Sequence, residues 1–436
     1  MSSQMASDAA AITRDLIRFD TTNTGDARSK GERLASEYVI GRLQDWGYEP
    51  SYFEAEPGRG SIVLRIPGTD PARPGLVLHG HLDVVPADPA EWQADPFAGE
   101  IRDGMIWGRG AVDMKDMAGM MLAVVGSWKR RAVNPPRDII LTFFADEEAG
   151  GRLGSIWMTQ HHPELFRGAT QAVSEVGGFS VSLAGQRAYL IQTAEKGIAW
   201  LRLTARGTPG HGSAINTDNA AAHLVAALSR IAAYNWPVNL SPAVRQLLLG
   251  VAELTGLKPD LDDPEAITQL IEALGPASRF VGASVSSWAN VTSVRVGDKV
   301  NVISSTAEAT VDLRPLPGDA EAAIQRIKDL AGPHVSLEPI HLDTALEAPF
   351  DVPLVAAMRA ALRQADPGAP VLPYMLAGGT DGKGLSRLGI DSYGFVPLRL
   401  PTDFDFTAMF HGVDERIPVD AIGWGAGVLD SFLLRS

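Results

Sequence analysis

Apolar and polar positions recur along this chain with two periods, and the change from one to the other marks its elements. Residues 8–19 and 29–46 carry apolar side chains at helical spacing, the second set being Leu34, Tyr38, Leu43 and Trp46. Short unbroken apolar runs follow at 61–66 and 75–78, the pattern of strands covered on both faces. Residues 88–107, rich in Pro, Asp and Trp, predict a loop with a hairpin. A helix is predicted over 117–131, a buried strand over 138–145 and a short strand over 170–174. Strands alternating with helices in this way predict an α/β sandwich built on a largely parallel sheet.

The pattern changes near residue 195. Strand-like stretches at 199–205, 293–296, 307–313 and 336–341, with helices at 219–234 and 320–330, give the order strand, helix, strand, strand, helix, strand. That order predicts a ferredoxin-like α+β unit inserted into the first. Residues 242–274 add a longer helical insertion to it. A helix at 355–364, a strand at 390–396 and a helix at 422–434 resume the α/β pattern. The expected organisation is a discontinuous α/β domain of residues 1–195 and 343–436. Residues 196–342 form an inserted domain, enlarged by the helical insertion.

A length of 436 residues favours two domains over one core. Cysteine is absent, which excludes disulfides and thiolate ligands, so any transition metal must be held by nitrogen and oxygen. A formal charge of -14 argues against nucleic-acid or anionic-membrane partners. No apolar run approaches the roughly 18 residues of a membrane span. The first residues lack the basic start and apolar core of a signal peptide, and a soluble cytoplasmic protein is expected.

Candidate chemistry collects at element ends. His79, His81 and Asp83 alternate before Pro86, so in a strand all three side chains point to one side. A carboxylate two residues after an imidazole is placed to orient a metal-bound histidine. Asp113 lies at the entrance of the 117–131 helix, where a helix N-cap is the other reading. Asp146, Glu147 and Glu148 end a buried strand, where a solvated turn is the alternative; Glu175 follows another strand. Ends of neighbouring parallel strands converge on one edge of a sheet. His81, Asp113, Glu148, Glu175 and His411 would then supply two imidazoles and three carboxylates, a set suited to two Zn²⁺ or similar ions sharing a carboxylate. Without cations the same carboxylates would repel one another and take up protons.

Several stretches together resemble the M20 metallopeptidases, a family that includes glutamate carboxypeptidase, succinyl-diaminopimelate desuccinylase, aminoacylase and carboxypeptidase S-like enzymes. They are Gly80-His81-Leu82-Asp83-Val84-Val85-Pro86, Gly108-Arg109-Gly110-Ala111-Val112-Asp113-Met114-Lys115 and Ala145-Asp146-Glu147-Glu148-Ala149-Gly150-Gly151. Glu175-Val176-Gly177-Gly178, Gly207-Thr208-Pro209-Gly210-His211-Gly212-Ser213, Asn301-Val302-Ile303 and Asp312-Leu313-Arg314 follow. Gly378-Gly379-Thr380-Asp381 and Phe410-His411-Gly412-Val413-Asp414-Glu415 complete the set, in family order over nearly the whole chain.

The resemblance implies that His81, Asp113 and Glu175 hold one ion and Asp113, Glu148 and His411 the other. Asp113 bridges them, and its bond to Met114 is often cis in the family. Asp83 orients His81, and Glu147 is the general base that takes a proton from metal-bound water. Glu147 and Glu148 cannot face one way in a regular strand, so the chain must bend there. His211, on the inserted unit, stabilises the oxyanion, in its own or a partner subunit's site. Arg314 and Asn301 resemble residues that bind the substrate's carboxylate, and Gly379 and Thr380 place donors beside it. A strand-end salt bridge is the other reading of Arg314.

Two features depart from the commonest pattern. Lys383 stands where an arginine is common, and the insertion at 242–274 resembles the carboxypeptidase S-like branch. Phe404, Phe406, Met409 and Phe410 either line an apolar pocket or pack the core, and His79 is read as packing beside the site.

The function implied is a dinuclear zinc amidohydrolase, with cobalt or manganese as alternatives, cleaving small N-acyl or peptidyl amino acids with a free carboxylate. A dipeptidase or carboxypeptidase of the same family is the nearest rival. A non-catalytic, metal-dependent binder of amino acids or peptides is the rival of another class. The resemblance makes residues 1–195 and 343–436 the catalytic, metal-binding domain and residues 196–342 a lid or dimerisation-type domain, through which a homodimer is also implied. A serine hydrolase is disfavoured, since no Gly-x-Ser-x-Gly elbow occurs.

Overall fold

In the computed structural model, which describes residues 3–436 apart from the side chain of Phe280, the apolar run around Leu76 becomes the strand Gly75–His81. It runs parallel to Ile139–Phe144 on one side and to Ala169–Ser174 on the other. These three strands sit inside a ten-stranded sheet. Gly60–Ile66 and Ser51–Glu54 extend it antiparallel at one end. At the other end come Asp391–Gly394, parallel to Ala169–Ser174, and then Gln186–Glu195, which pairs in parallel with Val371–Leu376.

Alternation along Gly75–His81 explains the layers. Leu76 and Leu78 face a core shared with the helices Ser3–Ile17, Lys115–Arg131 and Val419–Leu433. Val77 faces the opposite core, with Met158, Phe166 and Leu385. Each such side chain contributes on the order of 1.5–3 kcal/mol by leaving water. The first two helices approach closely at Gly119, where an added Cβ would collide with Thr13 Oγ1.

A second sheet is antiparallel throughout, in the order Trp288–Val296, Thr306–Arg314, Ile198–Arg206, Val335–Asp343. Numbered along the chain these read 2-3-1-4, the ferredoxin-like order that the sequence pattern predicts. The helices Ala220–Ala232 and Ala320–Ala331 cover one face and form a separate core with Leu201, Leu203, Val311 and Leu313. The other face is open and carries Trp200 and Trp288.

The helical insertion departs from expectation. Leu247, Leu248, Val251 and Leu270, on the helices Pro242–Thr255 and Pro264–Glu272, join the large core and not that of the small sheet. Gly250 lies directly against Leu372 of the strand Val371–Leu376. The small sheet's helical face is already filled by two helices, so the insertion buries its apolar stripe on the larger body. Two strands, Gln186–Glu195 and Val371–Leu376, and the helix Ser155–His161 were not anticipated from the sequence pattern. One strand is interrupted by Pro373, and the other buries polar Gln192, Thr193 and Glu195. No helix among the described residues is long and apolar enough to cross a membrane.

Candidate metal centre

Parallel register brings the first site residues to one edge. His81 pairs with Phe144, and Leu78 with Val173, so the chain leaves all three strands at one level. His81 ends its strand fully buried, with Glu175 Oε2 3.5 Å from its Nε2. Asp146, with φ 68°, then turns the chain into the short 3-10 turn Glu147–Ala149. This is the bend that separates Glu147 from Glu148. Glu147 Oε2 lies 3.9 Å from His81 Nε2, while Glu148 Oε2 lies 3.2 Å from His411 Nε2.

Asp83 holds this turn as well as the histidine. Its Oδ1 accepts the N–H of Glu147 at 3.2 Å, and its Oδ2 accepts the N–H of Glu148 at 3.1 Å. His81 Nδ1 is 3.0 Å from the Asp83 carbonyl and 3.5 Å from its carboxylate. Asn23 Nδ2 donates to Asp83 at 2.8 Å and to Asp146 at 3.1 Å. Behind them, Arg59 Nη2 reaches Asp146 at 2.6 Å and buried Glu32 at 3.1 Å.

Asp113 enters from the loop before Lys115–Arg131. The residue flanking that helix is Met114, with no side-chain cap, so Asp113 is not the N-cap. The Asp113–Met114 peptide bond is cis. One carboxylate oxygen of Asp113 lies 3.1 Å from His81 Nε2 and the other 3.2 Å from His411 Nε2. Glu415, completely buried, accepts N–H groups of Gly110 at 3.0 Å, Val112 at 2.7 Å and Asp113 at 3.2 Å, plus Arg109 Nη1 at 2.7 Å.

The cluster falls into two triads sharing Asp113. His81, Asp113 and Glu175 each offer a ligand atom, all within 4.8 Å of one another, and so do Asp113, Glu148 and His411. Burial, then Asp113, pushes Glu148 up to about 7. Burial also raises Glu175 to about 8, with Asp113 adding to it and His81 opposing. Glu147 is raised well above the usual range, first by burial and then by Glu175. Hydrogen bonds to Asp113 and Glu148 lift His411 to about 10. Crowded carboxylates that hold protons this firmly are short of positive charge. Glu148 Oε1 is buried with no hydrogen-bond partner. Two imidazoles and three carboxylates, one oxygen orphaned, fit a pair of divalent cations.

The residues predicted to bind substrate divide. Arg314, Gly379 and Thr380 line a cleft of about 260 Å³ that also exposes Glu147, Glu148 and His411. Arg314 is already engaged, its Nε and Nη2 donating to the two oxygens of Asp312 at 2.7 and 2.9 Å. The Thr380 hydroxyl donates to Glu195 at 3.1 Å. At Gly379 an added Cβ would collide with Lys383 Cε, so the glycine makes room for a side chain. His211 and Asn301 lie together outside the cleft lining. The short strand Gly210–His211 pairs with Val302–Ile303, and Gly212 N–H donates to Asn301 O at 2.9 Å. His211 is exposed, its Nδ1 2.8 Å from Ser213 Oγ.

Other expectations resolve simply. His79 packs against Phe144, ring centroids 5.6 Å apart, and burial lowers it to about 3, so it is a neutral core residue. Phe404 and Phe406 line an apolar cavity with Phe179 and Leu274 that shares no lining residue with the cleft. The sequence reading missed His341, which lines the cleft with Nε2 2.6 Å from Asp343 Oδ2 and its ring against Trp200. The spacing of His81 and Asp83 recurs there and was the available signal. Asn23, Glu32 and Arg59 carry no local signal.

The chain is similar to known proteins along most of its length. A model of Peptidase family M20/M25/M40 matches residues 77–435. Aminoacylase-1 of Mus musculus is 29% identical over 411 residues, 92% of this chain and 89% of that protein. The N-fatty-acyl-amino acid synthase/hydrolase PM20D1 of Xenopus tropicalis is 28% identical over 386 residues, 83% of this chain and 72% of that one. Among solved structures, the M20 family metallo-carboxypeptidase Sso-CP2 from Sulfolobus solfataricus superposes with a TM-score of 0.74 at 18% identity, over 98% of this chain and 99% of that one.

Proposed function

The chain belongs to peptidase family M20/M25/M40, whose members hydrolyse amide or peptide bonds, and from that premise we propose that it is a two-metal amidohydrolase acting on small N-acyl amino acids with a free carboxylate. The observation that carries the reading is Asp113, whose two oxygens each face a different imidazole, at 3.1 and 3.2 Å. His81 and Glu175 complete one ligand set, His411 and Glu148 the other, and zinc is the metal best matched to these donors. Cations bound there supply a polarised carbonyl and a water of lowered pKa.

The chain's own groups do the rest. Glu147, on the bend fixed by Asp83, takes a proton from water and returns it to the leaving nitrogen. Arg314, facing the cleft, receives the substrate's carboxylate in place of Asp312. His211 and Asn301 serve the oxyanion and the carboxylate after the small sheet closes on the cleft as a lid, or from a second copy's lid.

Metal analysis and an activity panel test the proposal. The purified protein should carry close to two divalent ions per chain, lose hydrolysis on chelation and regain it with zinc, cobalt or manganese. N-Acetyl and long-chain N-acyl amino acids should be cleaved faster than dipeptides. Preference for dipeptides would favour the dipeptidase reading, and metal binding without turnover the non-catalytic one.

A further inference from the structure

Lys383 lines the cleft, yet its ammonium is turned away from it. The residue sits on the short helix Gly382–Ser386 beside the large sheet and is buried. Its Nζ donates to Lys196 O at 2.6 Å and to Thr344 O at 3.0 Å, and lies 3.7 Å from Glu195 Oε2. Two of the three N–H donors of this ammonium meet backbone carbonyls, and its charge is balanced by the Glu195 carboxylate at ion-pair distance. Glu195 is fully buried, and its other oxygen accepts the Thr380 hydroxyl at 3.1 Å.

The partners are distinctive for their place in the chain. Lys196 lies where the chain passes from Gln186–Glu195 of the large sheet into Ile198–Arg206 of the small one. Thr344 lies where it returns, between Val335–Asp343 and Leu346–Glu347. Lys196 in turn spends its own Nζ on Ala283 O and Ser286 O, both at 2.6 Å, just before Trp288–Val296 enters the small sheet. Arg387, at the end of the short helix, lies 3.9 Å from Asp343, the residue that holds His341 against Trp200 in the cleft wall.

We propose that Lys383, with Glu195 and Lys196, is a positioning clamp that fixes the small sheet, and with it Trp200, His341 and Arg314, over the metal cluster, and that it does not itself bind the substrate's carboxylate. For a substrate to recruit Lys383 it would have to strip two backbone carbonyls and a buried carboxylate of their partner. The inference about turnover rests on the amidohydrolase reading; the clamp itself does not.

The test is the double variant E195Q/K383M, which removes both buried charges together, alongside K383M alone. The double variant should melt close to the wild type, and the single variant, left with an unpaired buried carboxylate, clearly lower. In the double variant, amide hydrogen exchange at 195–198 and 343–346 should quicken by about tenfold or more while that of Gly75–His81 is unchanged. Its kcat/KM should fall by about tenfold or more for the methylamides as well as for the N-acyl amino acids, because Trp200 and His341 are displaced along with Arg314. Unchanged exchange, undiminished kcat/KM, or a loss confined to the free acids would each overturn the proposal. If the wild type hydrolyses neither substrate, the amidohydrolase reading falls and the exchange measurement alone decides the clamp.

Discussion

Glu415 accepts the backbone N–H of Asp113 at 3.2 Å, although 302 positions separate the two residues. It lies four residues past His411, so one buried carboxylate fixes the loop that delivers Asp113 and the turn that delivers His411. Three further donors converge on it, from Arg109, Gly110 and Val112.

In Glu415→Gln an amide NH₂ would face donors in place of one carboxylate oxygen, leaving buried N–H groups unpaired at roughly 1–3 kcal/mol each. We expect the variant to fold, to bind the ion of the Asp113–Glu148–His411 set at least about tenfold more weakly, and to lose most turnover. Metal titration with circular dichroism checks this. Two tightly held ions and near-normal kcat would refute it.

Glu147 is the proton carrier in the proposed reaction and is not counted among the ligands. Glu147→Gln should keep its full metal complement while kcat falls by roughly 10²–10⁴-fold. Loss of metal in parallel with activity would instead make Glu147 a ligand.

Arg59 is the cation between Glu32 and Asp146. Burial, reinforced by Asp83 and opposed by Arg59, pushes Glu32 up to about 8. Arg59→Met should cost about 3–5 kcal/mol of unfolding free energy, eased where Glu32 takes up a proton. The turn carrying Glu147 should loosen with it, since Arg59 backs Asp146. A urea titration showing less than about 1 kcal/mol of loss would mean the pair is not stabilising.

Lys196 gives a pH signature. Burial, with Arg314 adding to it, lowers its ammonium from 10.5 to about 8. Between these values the unfolded chain holds a proton that the folded chain has released. Its contribution to unfolding free energy therefore rises with pH across that window, by at most about 1.4 kcal/mol per pH unit. Lys196→Met should lose this rise, so its stability relative to the wild type should worsen from pH 8 to pH 10. Parallel profiles would show that the ammonium titrates normally.

Much of this arrangement was legible from residue order, for reasons that differ by region. His81 and Glu148 follow short apolar runs and Glu175 a short strand pattern, and parallel pairing carries their ends together. Asp113 and His411 were legible only through the motifs around them, because loops fold by long-range partners. Glu415 is such a partner, and nothing beside it in sequence advertises the N–H groups it gathers. The strand Gln186–Glu195 was overlooked because it ends in buried polar residues, among them Glu195, whose partners Thr380 and Lys383 lie far along the chain. Arg314 shows another limit: a strand-end salt bridge was one of its two readings, and only three dimensions show that Asp312 is its partner.

The docking of residues 242–281 onto the larger body has a mechanical consequence. A plain insertion would hang from the rest of the molecule by an entry and an exit. Here the polypeptide shuttles back and forth once more, through 233–241 and 285–287, and these two threads are stitched together by the bond from Asn239 N–H to Val285 O at 2.8 Å. Four tethers, two of them bonded to each other, behave as a strap and not as a swivel, so they resist twist of one body on the other.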